Sequence, residues 1–176
     1  MKNTVRTESF SFELVAGLSA TEVCARLVAG QRVRGRANRL VGFYLEEMRA
    51  HRHFLARGYV STAHYAELEL DISQRRCADL IRVARNLKEL PLVDAAFDRG
   101  EINWTKASLL ACAITSATQE DWLEVAQRST TKELQYALAQ QRGGRPPKPG
   151  EELDNPVLYY QAHPYLSATE IGRAHV

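Results

Sequence analysis

His51 and His53 form the closest histidine pair in the chain, with Arg52 between them. Paired imidazoles are common ligands for zinc and other transition metals. On a continuous helix, however, positions i and i+2 point about 200° apart, so these two are expected to be solvated residues rather than co-ligands. His64 adjoins Tyr65, with no cysteine or carboxylate placed to make it the base of a nucleophile. His163 precedes Pro164 and stands alone. Glu67, Glu69 and Asp71 cluster at the end of a short predicted helix, where acidic residues form a solvated face. Cys24, Cys77 and Cys112 are far apart, odd in number and without a CxxC. That argues against a disulfide framework or a zinc knuckle. Each is expected to be a small buried hydrophobe. No glycine-rich phosphate loop, nucleophile elbow or HExxH is present. The chain is therefore expected to hold no catalytic residue, no metal ligand and no cofactor site.

Arginine offers the stronger chemistry. The net charge of the 176-residue chain is only +2. Between Arg26 and Arg57, however, eight arginines face two glutamates, a local excess of +6. Arg32, Arg34, Arg36 and Arg39 lie at its centre and are candidates for phosphate contact. The same stripe would equally solubilise a long exposed helix. A second set, Arg75, Arg76, Arg82 and Arg85, lies on a helix near the middle of the chain. At about 100° per residue, Arg75, Arg82 and Arg85 fall within about 80° of each other.

These residues need elements to hold them. Ser19-Ala20-Thr21-Glu22 is a capping box that starts a helix. Gly30 and Gly35 weaken that helix and are expected to break it. A stronger pattern resumes at Arg36, with Leu40, Tyr44, Met48 and Leu55 on one face, and Gly58 closes it. Ser61 caps a helix over about 62–69, and Ser73 caps the clearest helix of the chain, with Cys77, Leu80, Ile81, Ala84 and Leu87 inward. Short helix, tight turn and longer arginine-bearing helix over 61–89 give the outline of a helix-turn-helix, whose second helix enters a DNA major groove. Two consecutive bundle helices give the same outline. Pro91 and Gly100 bracket a short helix, and Asn103, Thr118 and Thr130 or Thr131 cap three more. No strand is expected before residue 143, and the fold class is all-α, a multi-helix bundle.

Composition divides the chain further. Residues 1–18 read as a loose leader and 19–142 as the helical domain. Residues 143–156, rich in glycine and proline, read as a linker. Pro156 to His163 reads as a strand, so 157–169 is expected to be the truncated start of a further domain. The string Glu170-Ile171-Gly172-Arg173-Ala174-His175-Val176 resembles one frame of a translated short-read sequencing adapter. That resemblance implies that 170–176 are not native and that the protein continues past Thr169. No signal peptide is evident, and no run approaches the ~18 apolar residues of a membrane helix, which points to the cytoplasm and to no membrane partner.

Arg57-Gly58-Tyr59-Val60-Ser61-Thr62, then Leu70-Asp71-Ile72-Ser73, an arginine-bearing helix and Leu90-Pro91 form an ordered pattern. It continues through Phe97-Asp98-Arg99-Gly100-Glu101-Ile102-Asn103-Trp104-Thr105-Lys106-Ala107 to Thr131-Lys132-Glu133-Leu134. Over roughly residues 20–142 this resembles the helical domain that precedes the nuclease domain in bacterial HNH endonucleases. The resemblance implies a parent nuclease whose ββα module and divalent metal lie further along the chain, with none of its catalytic positions here. DNA is the expected partner on the charge pattern. A helix-turn-helix regulator without nuclease activity and a helical protein-interaction module are the rivals. The native chain beyond residue 169 would separate nuclease from regulator, and salt dependence separates a DNA binder from a protein-interaction module.

Overall fold

The computed structural model describes residues 14–141 and 144–147. Among these residues the chain forms eight α-helices and one 3-10 turn, with no strand. They are α1 (Ala20–Ala50), α2 (His53–Ala56), α3 (Thr62–Leu70), α4 (Gln74–Lys88), α5 (Pro91–Arg99), α6 (Trp104–Ala113), α7 (Gln119–Arg128) and α8 (Thr131–Ala139). The all-helical expectation holds. Most of the predicted leader and linker, the segment 157–169 and the adapter-like tail lie outside the described residues.

The capping box at the start of α1 forms as expected. Ser19 Oγ accepts from the Glu22 amide, and the Glu22 carboxylate accepts from the Ser19 amide at 2.9 Å. The expected break does not. α1 runs unbroken for 31 residues, about 46 Å at 1.5 Å per residue. Two of its glycines have a packing reason. Gly35 and Gly42 are two turns apart on one face, and both are buried. A Cβ on Gly35 would stand 3.2 Å from Trp104 Cβ, and one on Gly42 only 2.8 Å from the Leu80 carbonyl oxygen. Each glycine costs about 1 kcal/mol of helix propensity, and close approach to α4 and α6 offsets that cost.

Termination falls at His51, where Arg52 turns left-handed with φ 53°. Gly58, with φ 80°, follows the short α2 rather than α1. This break brings the rings of His51 and His53 to 5.5 Å between centroids, closer than a continuous helix would, and both are exposed, as expected of solvated residues. The expected apolar face of α1 is likewise corrected. Leu40 and Tyr44 are 45% and 62% exposed, and Leu55 is exposed on α2, whereas Gly35, Gly42, Leu45 and Glu46 are buried. Of the cysteines only Cys77 is buried, and Cys24 and Cys112 are exposed.

Helix α4 is the central element, packed against α1, α3, α5 and α6. Its buried stripe is the predicted one with Val83 added. Cys77, Leu80 and Ile81 join Leu45 and Ala66 in one apolar cluster, and Val83 and Leu87 join a larger one around Trp122, Leu110 and Leu134. Trp122 is fully buried and donates its indole N–H to the Gly144 carbonyl at 2.8 Å. That bond ties the first part of the predicted linker to α7.

Caps then set the later helices. Pro91 occupies the first turn of α5, where its missing N–H costs nothing. Asn103 caps α6, and Thr130 with Glu133 forms a capping box on α8. Thr118 precedes α7 without a side-chain cap. Lys106 serves the other end of α7. Its ammonium donates to the Ala126 carbonyl at 2.7 Å and to that of Ser129. Burial lowers its pKa, opposed by the charge of Glu133. Lys106→Met keeps the aliphatic stem but leaves two carbonyls unpaired, so a loss of about 1–3 kcal/mol is expected. Urea unfolding of the two proteins would measure it, and an unchanged midpoint would contradict this role.

Candidate nucleic-acid interface at the start of helix α4

The turn between α3 and α4 is built from three residues. Asp71 takes a left-handed conformation at φ 53°, and the Ile72 amide returns to the Ala66 carbonyl at 2.9 Å. Ser73 then caps α4 by accepting from the Arg76 amide at 3.3 Å. Beyond this cap Gln74, Arg75, Arg76 and Ala78 are all exposed. The first turn of α4 is thus its free end, while the helix behind it packs one face against four others and keeps Arg82, Arg85 and Lys88 exposed. Unpaired amides give such an end a partial positive charge.

The C-terminal half of α1 runs parallel to α4. Asn38 Oδ1 accepts from Arg76 at 2.9 Å, Gly42 faces Leu80, and Glu47 accepts from Lys88 at 3.3 Å. Arg34 lies one helical turn before Asn38, about 40° around the same side of α1. This register puts Arg34 on the side of α1 that carries Asn38, the partner of Arg76 in the first turn of α4. Arg34 and Arg75 have no hydrogen-bond or ion-pair partner among the described residues.

The other predicted arginines are placed elsewhere. Arg39 is half-buried in a two-pronged pair with Asp94 of α5, with Asp98 at 3.3 Å. Burial opposes its charge, but the Asp94 carboxylate outweighs that and raises the pKa. Arg36 donates to the Asp98 carbonyl at 3.5 Å. Arg32 lies beside Gly100 on the same flank. Arg82 pairs with Asp79 at 2.9 Å, and Arg85 with Glu46 at 3.4 Å. The single basic stripe of the sequence thus divides between two flanks of α1, and part of it is neutralised by carboxylates.

No sequence pattern marks Glu46, yet it is the buried charge of the α1–α4 seam. Hydrogen bonding from Arg49 holds its carboxyl below the usual carboxylate range. Burial opposes this, and Arg85 adds to it. A carboxyl with a lowered folded-state pKa contributes stability that is present above its unfolded value, near 4.3, and is lost as pH falls through the folded value. Glu46→Gln is therefore expected to destabilise the protein at pH 7 and to flatten its loss of stability below about pH 5. Melting temperatures from pH 7 to pH 3 would check this, and parallel curves for both proteins would contradict it.

No group of three or more metal-ligating side chains is placed to hold a metal ion among the described residues. Nor is any described helix long and apolar enough to cross a membrane. Comparison with protein-family models, curated proteins and solved structures gave no match.

Proposed function

We propose that residues 19–142 are a non-catalytic DNA-docking domain of a bacterial HNH endonuclease whose metal-dependent chemistry lies beyond the helical region. The exposed Arg75 and Arg76 in the first turn of α4, with the exposed Arg34 one turn before Asn38 on the helix that Arg76 bonds, carry the docking reading. The ordered resemblance over residues 20–142 carries the nuclease reading. In this proposal the α3–α4 pair acts as a helix-turn-helix that meets DNA end-on. α4 stays exposed on one face through Arg82 and Arg85, but both are paired with carboxylates, and its N-terminal residues are those that reach base edges and phosphates in such motifs. The helix-turn-helix regulator shares this surface and lacks only the downstream nuclease.

Fluorescence anisotropy of the full chain with a labelled duplex tests the docking reading. Three neutralised phosphates give a log–log salt slope of about −2.7, or roughly a 40-fold loss of affinity between 50 and 200 mM salt. Absent or salt-insensitive binding would contradict it and favour a protein-interaction module.

A further inference from the structure

The first turns of α1 project past the helices that bury the rest of it. Leu27 and Val28 are 64% and 54% exposed, although they continue the face on which Gly35 and Gly42 are buried. They line an open groove of about 430 Å³ with Phe97 and Ile102 at its floor and Arg32, Arg36 and Arg99 around it. Arg99 is paired with Glu101, whereas Arg32 has no hydrogen-bond or ion-pair partner among the described residues. Along α1 its lining passes from the apolar Leu27 and Val28 to Arg32 and Arg36, over a floor that stays apolar at Phe97. A helical arm with an uncovered apolar face is marginal alone and gains its stability from packing.

We propose that this groove is covered by residues 151–160 of the same chain, Glu151-Glu152-Leu153-Asp154-Asn155-Pro156-Val157-Leu158-Tyr159-Tyr160. Charge complementarity selects this segment. Its three carboxylates precede four large apolar residues, matching a groove that passes from Arg32 to Val28 and Leu27. Arg32 to Cys24 spans about 12 Å of helix, and Asp154 to Leu158 spans about 13 Å of extended chain. Residues 1–13 offer no such match, because Lys2 and Arg6 offset Glu8 and Glu13. A second copy of α1 would bring arginines against arginines. The chain also reaches. Gly144 is tied to Trp122, and Glu101 at the groove's edge accepts from Gln127 on the same helix at 2.8 Å. Those two positions on α7 are about 7.5 Å apart along its axis, whereas the eleven residues from Pro147 to Leu158 span up to about 36 Å. This proposal does not rest on DNA binding.

Cys24 supplies the test, because it is exposed one turn before Val28. In the full chain, Cys112→Ser removes the other exposed thiol and Leu158→Cys adds one to the segment. Mild oxidation is expected to give an intramolecular Cys24–residue 158 disulfide, identified by peptide mass. Arg32→Glu should lower its yield at least about tenfold, and changing Glu151, Glu152 and Asp154 to lysine in that background should restore it. An intermolecular disulfide, no disulfide, or a yield unmoved by Arg32→Glu would each overturn the proposal.

Discussion

Reversing Arg34, Arg75 and Arg76 together to glutamate is expected to lower affinity for duplex DNA about 100-fold or more at 100 mM salt, and to bring the salt slope near zero. Each arginine that meets a phosphate releases counterions, so its loss removes about one unit of slope as well as affinity. Reversal adds repulsion to that loss. Folding should be little disturbed, because Arg34 and Arg75 have no described partners and the exposed Arg76 side chain donates only to half-buried Asn38. Reversing Arg99, Arg128 and Lys132 instead makes a charge-matched control. All three are exposed, Arg99 and Arg128 are already paired with Glu101 and Glu124, and none lies on α4. Anisotropy on the two variants should separate them by at least about tenfold, and equal losses would point to undirected electrostatic attraction.

Three alanine substitutions in α1 are expected to differ in sign. At Gly42 a Cβ would stand 2.8 Å from a backbone oxygen of α4, which cannot rotate away. Overpacking of this kind costs about 1–3 kcal/mol or more. Separating α1 from α4 would also loosen the seam around Glu46. A net loss of about 2–3 kcal/mol is expected, lowering the melting temperature by roughly 10 °C. At Gly35 the nearest atoms belong to the side chains of Trp104 and Phe97, at 3.2 and 3.3 Å, so the cost should be smaller. At Gly30 nothing lies within 4 Å, and alanine should stabilise by about 0.5–1 kcal/mol. Thermal unfolding of the three proteins checks the order. A stabilising Gly42→Ala would refute the close α1–α4 approach, and a destabilising Gly30→Ala would refute the unbroken helix.

These glycines also mark where the sequence misleads. Helix starts were legible because caps are local. Ser19, Ser61, Ser73, Asn103 and Thr130 each bond an amide three residues on. The inner face of α4 was legible because its buried residues are large and periodic. The inner face of α1 was not, because two of its four buried positions are glycines, and the large residues Leu40 and Tyr44 point outward. The seven-residue spacing of Gly35 and Gly42 was the available signal. For the candidate site, the arginines were legible as a group but not in their division. Asp94 lies 55 residues from Arg39, and Asn38 lies 38 residues from Arg76. No local pattern reports such pairings.

The central claim is that DNA meets this domain at the start of α4. A photoreactive benzoylphenylalanine at Ala78, exposed one turn inside α4, tests it most directly, with the same group at exposed Glu120 on α7 as the comparison. On irradiation with a labelled duplex, the account predicts a protein–DNA crosslink from position 78 that fades with salt, and little from position 120. Crosslinking from position 120 but not from position 78 would contradict it.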